Sequence, residues 1–195
     1  SSGDSEMLAR KLASKFGVDT LVENITLALD GFGCYHRRDE AISNVIPDFD
    51  PEKDKAKIEI KQDINQNMPA ISSITVVKPN NEVVSKLLPA RAYLQIVAAT
   101  NFKQRSRMSM LYYHADRLYY AVIGTPNKHE VEQGFFVKHG DGAADVMPIA
   151  HLYKTQVYQL AEFLGIPQEI IERTPTTDTF PTSAAGYSFS QPYQI

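Results

Sequence analysis

The sequence predicts an α/β fold, a doubly wound parallel sheet with flanking helices. Two observations carry this expectation. Leu118 to Ile123 is an unbroken apolar run closed by Gly124, the pattern of a strand covered on both faces in a parallel sheet. Helical patterns flank it. One runs from about Ala90 to His114 without Pro or Gly, and another from about Leu152 to Leu164, ended by Gly165.

The remaining elements follow in order. Leu8, Leu12 and Phe16 recur every fourth residue and predict an N-terminal helix that Asp4 or Ser5 can cap. No strand pattern precedes it, so the first strand of the sheet is expected to be missing. Asp19 to Ile25 reads as a short strand and Thr26 to Cys34 as a weak second helix. Residues 36–88 read as an insertion without identifiable chemistry. The mixed charge run from Asp48 to Lys55 is expected to be a solvated loop. Ile58 to Lys61 and Ile74 to Lys78 suit a hairpin or two edge strands, with a turn at Pro79-Asn80-Asn81. Pro167 opens a short helix to about Arg173, and from Thr174 onward the chain reads as a loop rich in Pro, Thr and Ser.

Composition narrows the function classes. The chain has 195 residues, 43% of them hydrophobic, which suits one globular domain. Twenty basic and 23 acidic residues leave a net charge of -3, which argues against a nucleic-acid partner. Cys34 is the only cysteine, so no disulfide forms within the chain, and a reducing, cytoplasmic setting is expected. No apolar run approaches the roughly 20 residues of a membrane helix. Ser1 to Ser5 lacks the basic and apolar segments of a signal peptide, which makes the Asn24-Ile25-Thr26 sequon incidental.

Four places carry candidate chemistry. Leu94, Ala98, Asn101, Arg105, Met108 and Tyr112 share one stripe of the long helix, apolar except for Asn101 and Arg105. Arg105 either pairs with a core carboxylate or binds a ligand. Beyond the expected strand, where open α/β sheets bind ligands, lie Gly124-Thr125 and then Glu130. Glu130 suits Mg²⁺ beside phosphates, or is a solvated helix residue. Lys138-His139-Gly140-Asp141-Gly142-Ala143-Ala144-Asp145 is a Gly-rich loop whose carboxylates could accept ribose hydroxyls or an amine. A purely structural turn remains the alternative. Lys154 stands in the first turn of its helix, where cations are disfavoured unless an anion binds. Thr176, after Pro175, offers a loop hydroxyl.

Taken in order, these stretches resemble the NAD synthetase family of N-type ATP pyrophosphatases. Asn101-Phe102-Lys103-Gln104-Arg105-Ser106-Arg107-Met108 is similar to the family's N-x-K-x-R-x-R-M stretch. Gly124-Thr125, Glu130 and Gly134-Phe135-Phe136 are similar to its G-T-x4-E-x3-G-[FY]-[FY] motif. The 138–145 loop, Pro148, Leu152-x-Lys154 and Pro175-Thr176-x-Asp178 follow in the family's order. The resemblance implies an adenine nucleotide α-hydrolase-like fold and ATP-dependent amidation of deamido-NAD to NAD through an adenylated carboxylate, with ammonia as nitrogen donor. By position, Glu130 would bind Mg²⁺, and Thr125, Lys154 and Thr176 would hold ATP. Arg105, Lys138 and Asp145 would hold deamido-NAD, with Asn101 and Asp141 as further contacts. No protein nucleophile is implied. A homodimer is, and any glutaminase supplying ammonia would be separate, since Cys34 lies in no such setting.

The family's S-G-G-x-D-S pyrophosphate loop does not occur in these residues. Ser2-Gly3-Asp4-Ser5 lacks a glycine and the spacer, and resembles the segment before the family's second helix. One catalytic domain, incomplete at both ends and inactive by itself, is therefore expected. Another ATP-pyrophosphatase amidoligase and a non-catalytic nucleotide-binding or dimerisation module stay open as alternatives.

Overall fold

A computed structural model describes residues 3–61 and 71–173. In chain order the elements are α1 (Gly3–Phe16), α2 (Thr26–Gly31), α3 (Cys34–Ser43), β1 (Lys55–Lys61), β2 (Ile71–Val77), β3 (Val83–Leu87), α4 (Ala90–Leu118), α5 (Lys128–Glu132), α6 (Lys154–Phe163) and α7 (Gln168–Ile171). They divide into two compact units. One contains Tyr35–Ala99, the other Gly3–Cys34 and Thr100–Arg173.

The first unit is built on an antiparallel sheet of order β1-β2-β3. Its register sets Ala56 against Val76 and Ile58 against Ile74. These four apolar side chains therefore share one face of the pleat. They are buried together with Ala41 and Ile42 of α3 and Ile96 of α4. The opposite face is polar. Thr75 Oγ1 lies 3.2 Å from Glu59 Oε2 and 3.1 Å from Ser85 Oγ, and Lys57 pairs with Glu59 at 2.5 Å. The expected hairpin forms, with Asn81 at φ 63 in the turn that follows β2. From the sequence, two strands are expected within 36–88, and the structure adds a helix and a third strand. α3 continues to Ser43, and β3 adds a third strand whose outward residues Val83 and Leu87 hid its alternation.

The second unit depends on the end of α4. Met108 and Ala115 pack on Val122, with Tyr112, Ala143 and Ala144 beside them. α4 outlasts its expected end and closes at Leu118, where Tyr119 takes the left-handed conformation at φ 56. Its turn consumes the first part of the apolar run. The expected buried strand from Leu118 to Ile123 is thereby corrected: Tyr119, Tyr120 and Ile123 are exposed and only Val122 is buried from the strand's apolar residues. Among the described residues, parallel pairing consists of one bridge between Ile123 and Val146. Asp19 to Ile25 is likewise not a strand. Glu23 ties that segment to α4 by accepting from His114 Nε2 at 2.9 Å, while Arg117 donates to His114 Nδ1 at 3.1 Å. Asp4 and Ser5 lie within the first turn of α1 instead of capping it. No helix of the described residues is long and apolar enough to cross a membrane.

A buried ion pair fastens the charged loop of the first unit. Asp54, 2% exposed at its side chain, accepts from Lys78 Nζ at 2.7 Å and from Asp50 N at 2.9 Å, and Lys78 also reaches Asp48 O. The mixed charge run is therefore partly an internal staple, not only a solvated loop. Burial pushes the Asp54 carboxyl up, but the Asp50 N–H and the Lys78 ammonium outweigh it and hold it below its ordinary value of 3.8. A depressed carboxyl stabilises the fold above its unfolded pKa, and the contribution is lost as pH falls through the folded value. Asp54→Asn should cost about 1–3 kcal/mol at neutral pH by weakening the partners' bonds. It should also flatten the loss of stability between about pH 5 and pH 3. Urea unfolding of both proteins across that range checks both expectations.

Candidate functional site

All of the candidate site residues that the structure describes lie in the second unit. Thr176 and Asp178 fall outside the described residues. The long-helix stripe is the first correction. Leu94 is 63% exposed and Ala98 is exposed, while Ile96, Ala99, Met108 and Ala115 are buried. The helix serves two separate clusters, so no single stripe is buried along its length. Arg105 is exposed and, among the described residues, pairs with no core carboxylate. Its Nε donates to the backbone carbonyl of Lys138 at 3.0 Å, which joins α4 to the Gly-rich loop.

That loop is held by its own residues. Asp141 Oδ1 accepts from Val137 N at 2.8 Å. Gly140 N and Gly142 N both point at Val137 O, at 2.8 and 3.3 Å, and His139 occupies the left-handed region at φ 63. The glycines were expected to admit a ligand. The structure gives them a packing reason as well: a Cβ on Gly142 would stand 2.3 Å from the Phe136 ring, and one on Gly140 3.0 Å from Val137. Phe136 and Phe135 remain partly open to solvent above this turn.

Asp145 ends the loop. Its Oδ2 accepts from Val122 N at 2.8 Å, and its Oδ1 lies 3.0 Å from the Tyr112 hydroxyl. Burial, then the neighbouring Asp145 carboxylate, raises the Tyr112 phenol above its ordinary value, so it stays a neutral donor at physiological pH. Tyr112, which the sequence places only in an apolar stripe, is thus bonded to a candidate site residue. An i, i+7 step from Arg105 along α4 was the available signal, but periodicity gives no partner. Asn101, Arg105, Lys138, Asp141 and Asp145 are thus carried by α4 and by a loop hydrogen-bonded to it.

The second group follows Gly124. Gly124 N donates to Val146 O at 2.8 Å, and Thr125 is exposed just beyond. Asn127 is the buried N-cap of α5: its side chain accepts from Glu130 N at 3.2 Å, while Glu130 Oε2 accepts from Asn127 N at 2.8 Å. This reciprocal capping box explains the N-x-x-E spacing locally, and that signal was legible in the sequence. Among the described residues, only Glu130 Oε2 takes part in a hydrogen bond, which leaves Oε1 for a cation. Lys128 N donates to Leu152 O at 2.9 Å, and Lys128 Nζ meets the Tyr153 hydroxyl at 3.0 Å. The start of α5 is thereby set beside the start of α6, where Lys154 is exposed as the first helical residue. The described residues hold no group of three or more candidate metal ligands. A single carboxylate at Glu130 fits Mg²⁺, which takes one or two carboxylates together with phosphate oxygens.

Close packing at Gly124 gives a test of this framework. A Cβ there would lie 2.6 Å from Ala144 Cβ, a methyl that cannot swing aside. Gly124→Ala should therefore lower stability by about 1–3 kcal/mol. Gly31, which has nothing within 4 Å and sits in α2, should tolerate alanine or gain slightly. Thermal melts of the two variants should differ in sign or clearly in size, and equal melts would show that the Gly124 approach is not tight.

Comparison with known proteins follows this geometry. The NAD synthase family model matches residues 7–195. An NH3-dependent NAD(+) synthetase of Mesorhizobium japonicum is 52% identical, aligned over 100% of this chain and 61% of that protein. One of Rhizobium meliloti is 51% identical over 99% of this chain and 58% of its own length. The chain thus spans about three fifths of these relatives, and the alignments include residues 36–88. Among solved structures, an NMN synthetase from Francisella tularensis superposes with a TM-score of 0.59 at 22% identity, covering 92% of this chain and 53% of that one. An NH3-dependent NAD synthetase from Campylobacter jejuni gives 0.54 at 22% identity, covering 92% and 54%. These likenesses show the fold, which is the α/β class expected from the sequence. The chain belongs to the NAD synthase family.

Proposed function

We propose that the protein amidates deamido-NAD to NAD, using ATP and ammonia. The observation that carries this reading is the joining of Arg105 to the Lys138–Asp145 loop through the Lys138 carbonyl. It places two cations and two carboxylates of the expected substrate set on adjoining elements. In this reading the nicotinate carboxylate attacks the α-phosphorus of ATP and pyrophosphate departs. Ammonia then attacks the acyl carbon of the adenylate, and AMP leaves. Arg105 and Lys138 offset the charge of the dinucleotide, while Asp145, Asn101 and Asp141 accept or donate hydrogen bonds to it. Thr125, Lys154 and Thr176 hold ATP. Mg²⁺, with Glu130 as a ligand, would neutralise charge on the phosphates. The catalysis assigned to the chain's own residues is positioning and charge stabilisation, without a nucleophilic side chain. One catalytic domain of a cytoplasmic homodimer, with any glutaminase on a separate segment or protein, completes the proposal. Residues 36–88 are taken as an insertion in that domain.

The direct test is NAD formation by the gene's full-length product, supplied with ATP, Mg²⁺, deamido-NAD and ammonium. Turnover on the order of one per second is an ordinary enzyme rate and is the expected result. Formation of NAD only with another nitrogen donor, or none at all, removes the reading.

Two substitutions separate the ligands. Arg105→Ala should raise KM for deamido-NAD about tenfold to a hundredfold, the loss of one charge-assisted contact, with KM for ATP nearly unchanged. An effect confined to ATP would assign Arg105 to the other substrate. Glu130→Gln tests the metal role cleanly, because glutamine preserves the capping box and removes only the charge. It should melt like the wild type yet lose about a hundredfold or more in kcat. Wild-type turnover at saturating Mg²⁺ would show that Glu130 serves the helix cap alone.

A further inference from the structure

Among the described residues the carboxylate of Asp145 makes two bonds. Val122 N fixes Oδ2 at 2.8 Å and the Tyr112 hydroxyl faces Oδ1 at 3.0 Å. The same hydroxyl lies 2.5 Å from the carbonyl of Ala143. A phenol has one proton and here meets two acceptors, so it holds the Ala143 carbonyl and the Asp145 carboxylate together around a single hydrogen. Its ring is already fixed by packing among Met108, Ala115 and Val122. Both the last turn of the loop and the carboxylate that ends it are therefore referred to one atom on α4.

We infer that Tyr112 is a positioning residue for the amidation, setting the orientation of Asp145 and the path of the chain at residues 143–145 for deamido-NAD. The inference rests on the proposed reading of Asp145 as a deamido-NAD contact. Without the phenolic O–H, the Val122 amide alone would hold the carboxylate, and rotation about its single remaining bond would misalign Oδ1 and the loop carbonyl. Burial, followed by the Asp145 carboxylate, disfavours ionisation of the phenol, so the donor persists at neutral pH. The Tyr112 hydroxyl touches none of Thr125, Glu130 or Lys154, and its loss leaves the Val122 to Asp145 bond that leads to them in place, so the ATP side of the site should not sense it.

Tyr112→Phe keeps the ring and removes only the donor. In the full-length enzyme it should raise KM for deamido-NAD about tenfold, a charge-assisted hydrogen bond's worth, and leave KM for ATP within about twofold. Combined with Asp145→Asn, it should add little further loss, because both substitutions break one unit. A wild-type KM for deamido-NAD in Tyr112→Phe overturns the inference. So do equal rises for both substrates that follow a fall in melting temperature, the mark of a merely structural role, and full additivity in the double variant. An unmodified enzyme that does not amidate deamido-NAD overturns the functional reading itself, and is told apart because the failure precedes any substitution.

Discussion

The carboxylate of Asp145 ties the end of the Gly-rich loop to two points 23 and 33 residues earlier in the chain: the backbone leaving α4 at Val122 and the hydroxyl of Tyr112 on α4 itself. Both bonds involve a charged acceptor, the class roughly twice as strong as neutral pairs. They bring Val122 to Gly124 alongside Asp145 and Val146, where the parallel bridge and the Gly124 N to Val146 O bond form. That pairing delivers Thr125 and the capping box of Asn127 and Glu130 to their places. The Arg105 bond to Lys138 closes the same loop from the helix side. The candidate site is thus a backbone framework pinned by a few polar side chains.

The first unit solves a different problem. Its three strands bury apolar residues on one face only, and the other face is satisfied by the Lys57, Glu59, Thr75 and Ser85 network. A chain segment with nine charged residues from Asp48 to Lys61 is kept in place by Asp54 and Lys78, whose pairing takes an amide of the loop as third partner. The alignments with the relatives extend across this unit. Its contribution is a core of its own, assembled on the first part of α4, whose continuation carries Arg105 and Tyr112.

The candidate residues Arg105, Glu130, Lys138, Asp145 and Lys154 were picked out by the order and spacing of motifs that resemble a family, because each by itself reads equally well as a surface, turn or helix-end residue. The fold class was legible in the alternation of helical patterns with an apolar run, although only the end of that run pairs, at Ile123 with Val146. What remained hidden was hidden by physics that periodicity does not encode. Tyr119 ends α4 in a left-handed conformation that tyrosine seldom adopts, so the apolar run looked wholly strand-like. Val83 and Leu87 point outward, which broke the alternation of β3. The Gly140 and Gly142 positions looked like room for a ligand, yet Phe136 and Val137 fill the space. Tyr112 looked like one more aromatic on a helix face, because a phenol's partner is set by tertiary structure and not by sequence distance.

The central claim is that Asp145 fixes the backbone at Val122, and amide hydrogen exchange at Val122 measures that bond directly. With the bond in place, the Val122 amide should exchange only through an opening of the structure, far slower than a free amide, and should lose that protection in Asp145→Ala while the amides of β2 keep theirs. Exchange of Val122 at the rate of an unprotected amide in the unmodified protein would contradict the account.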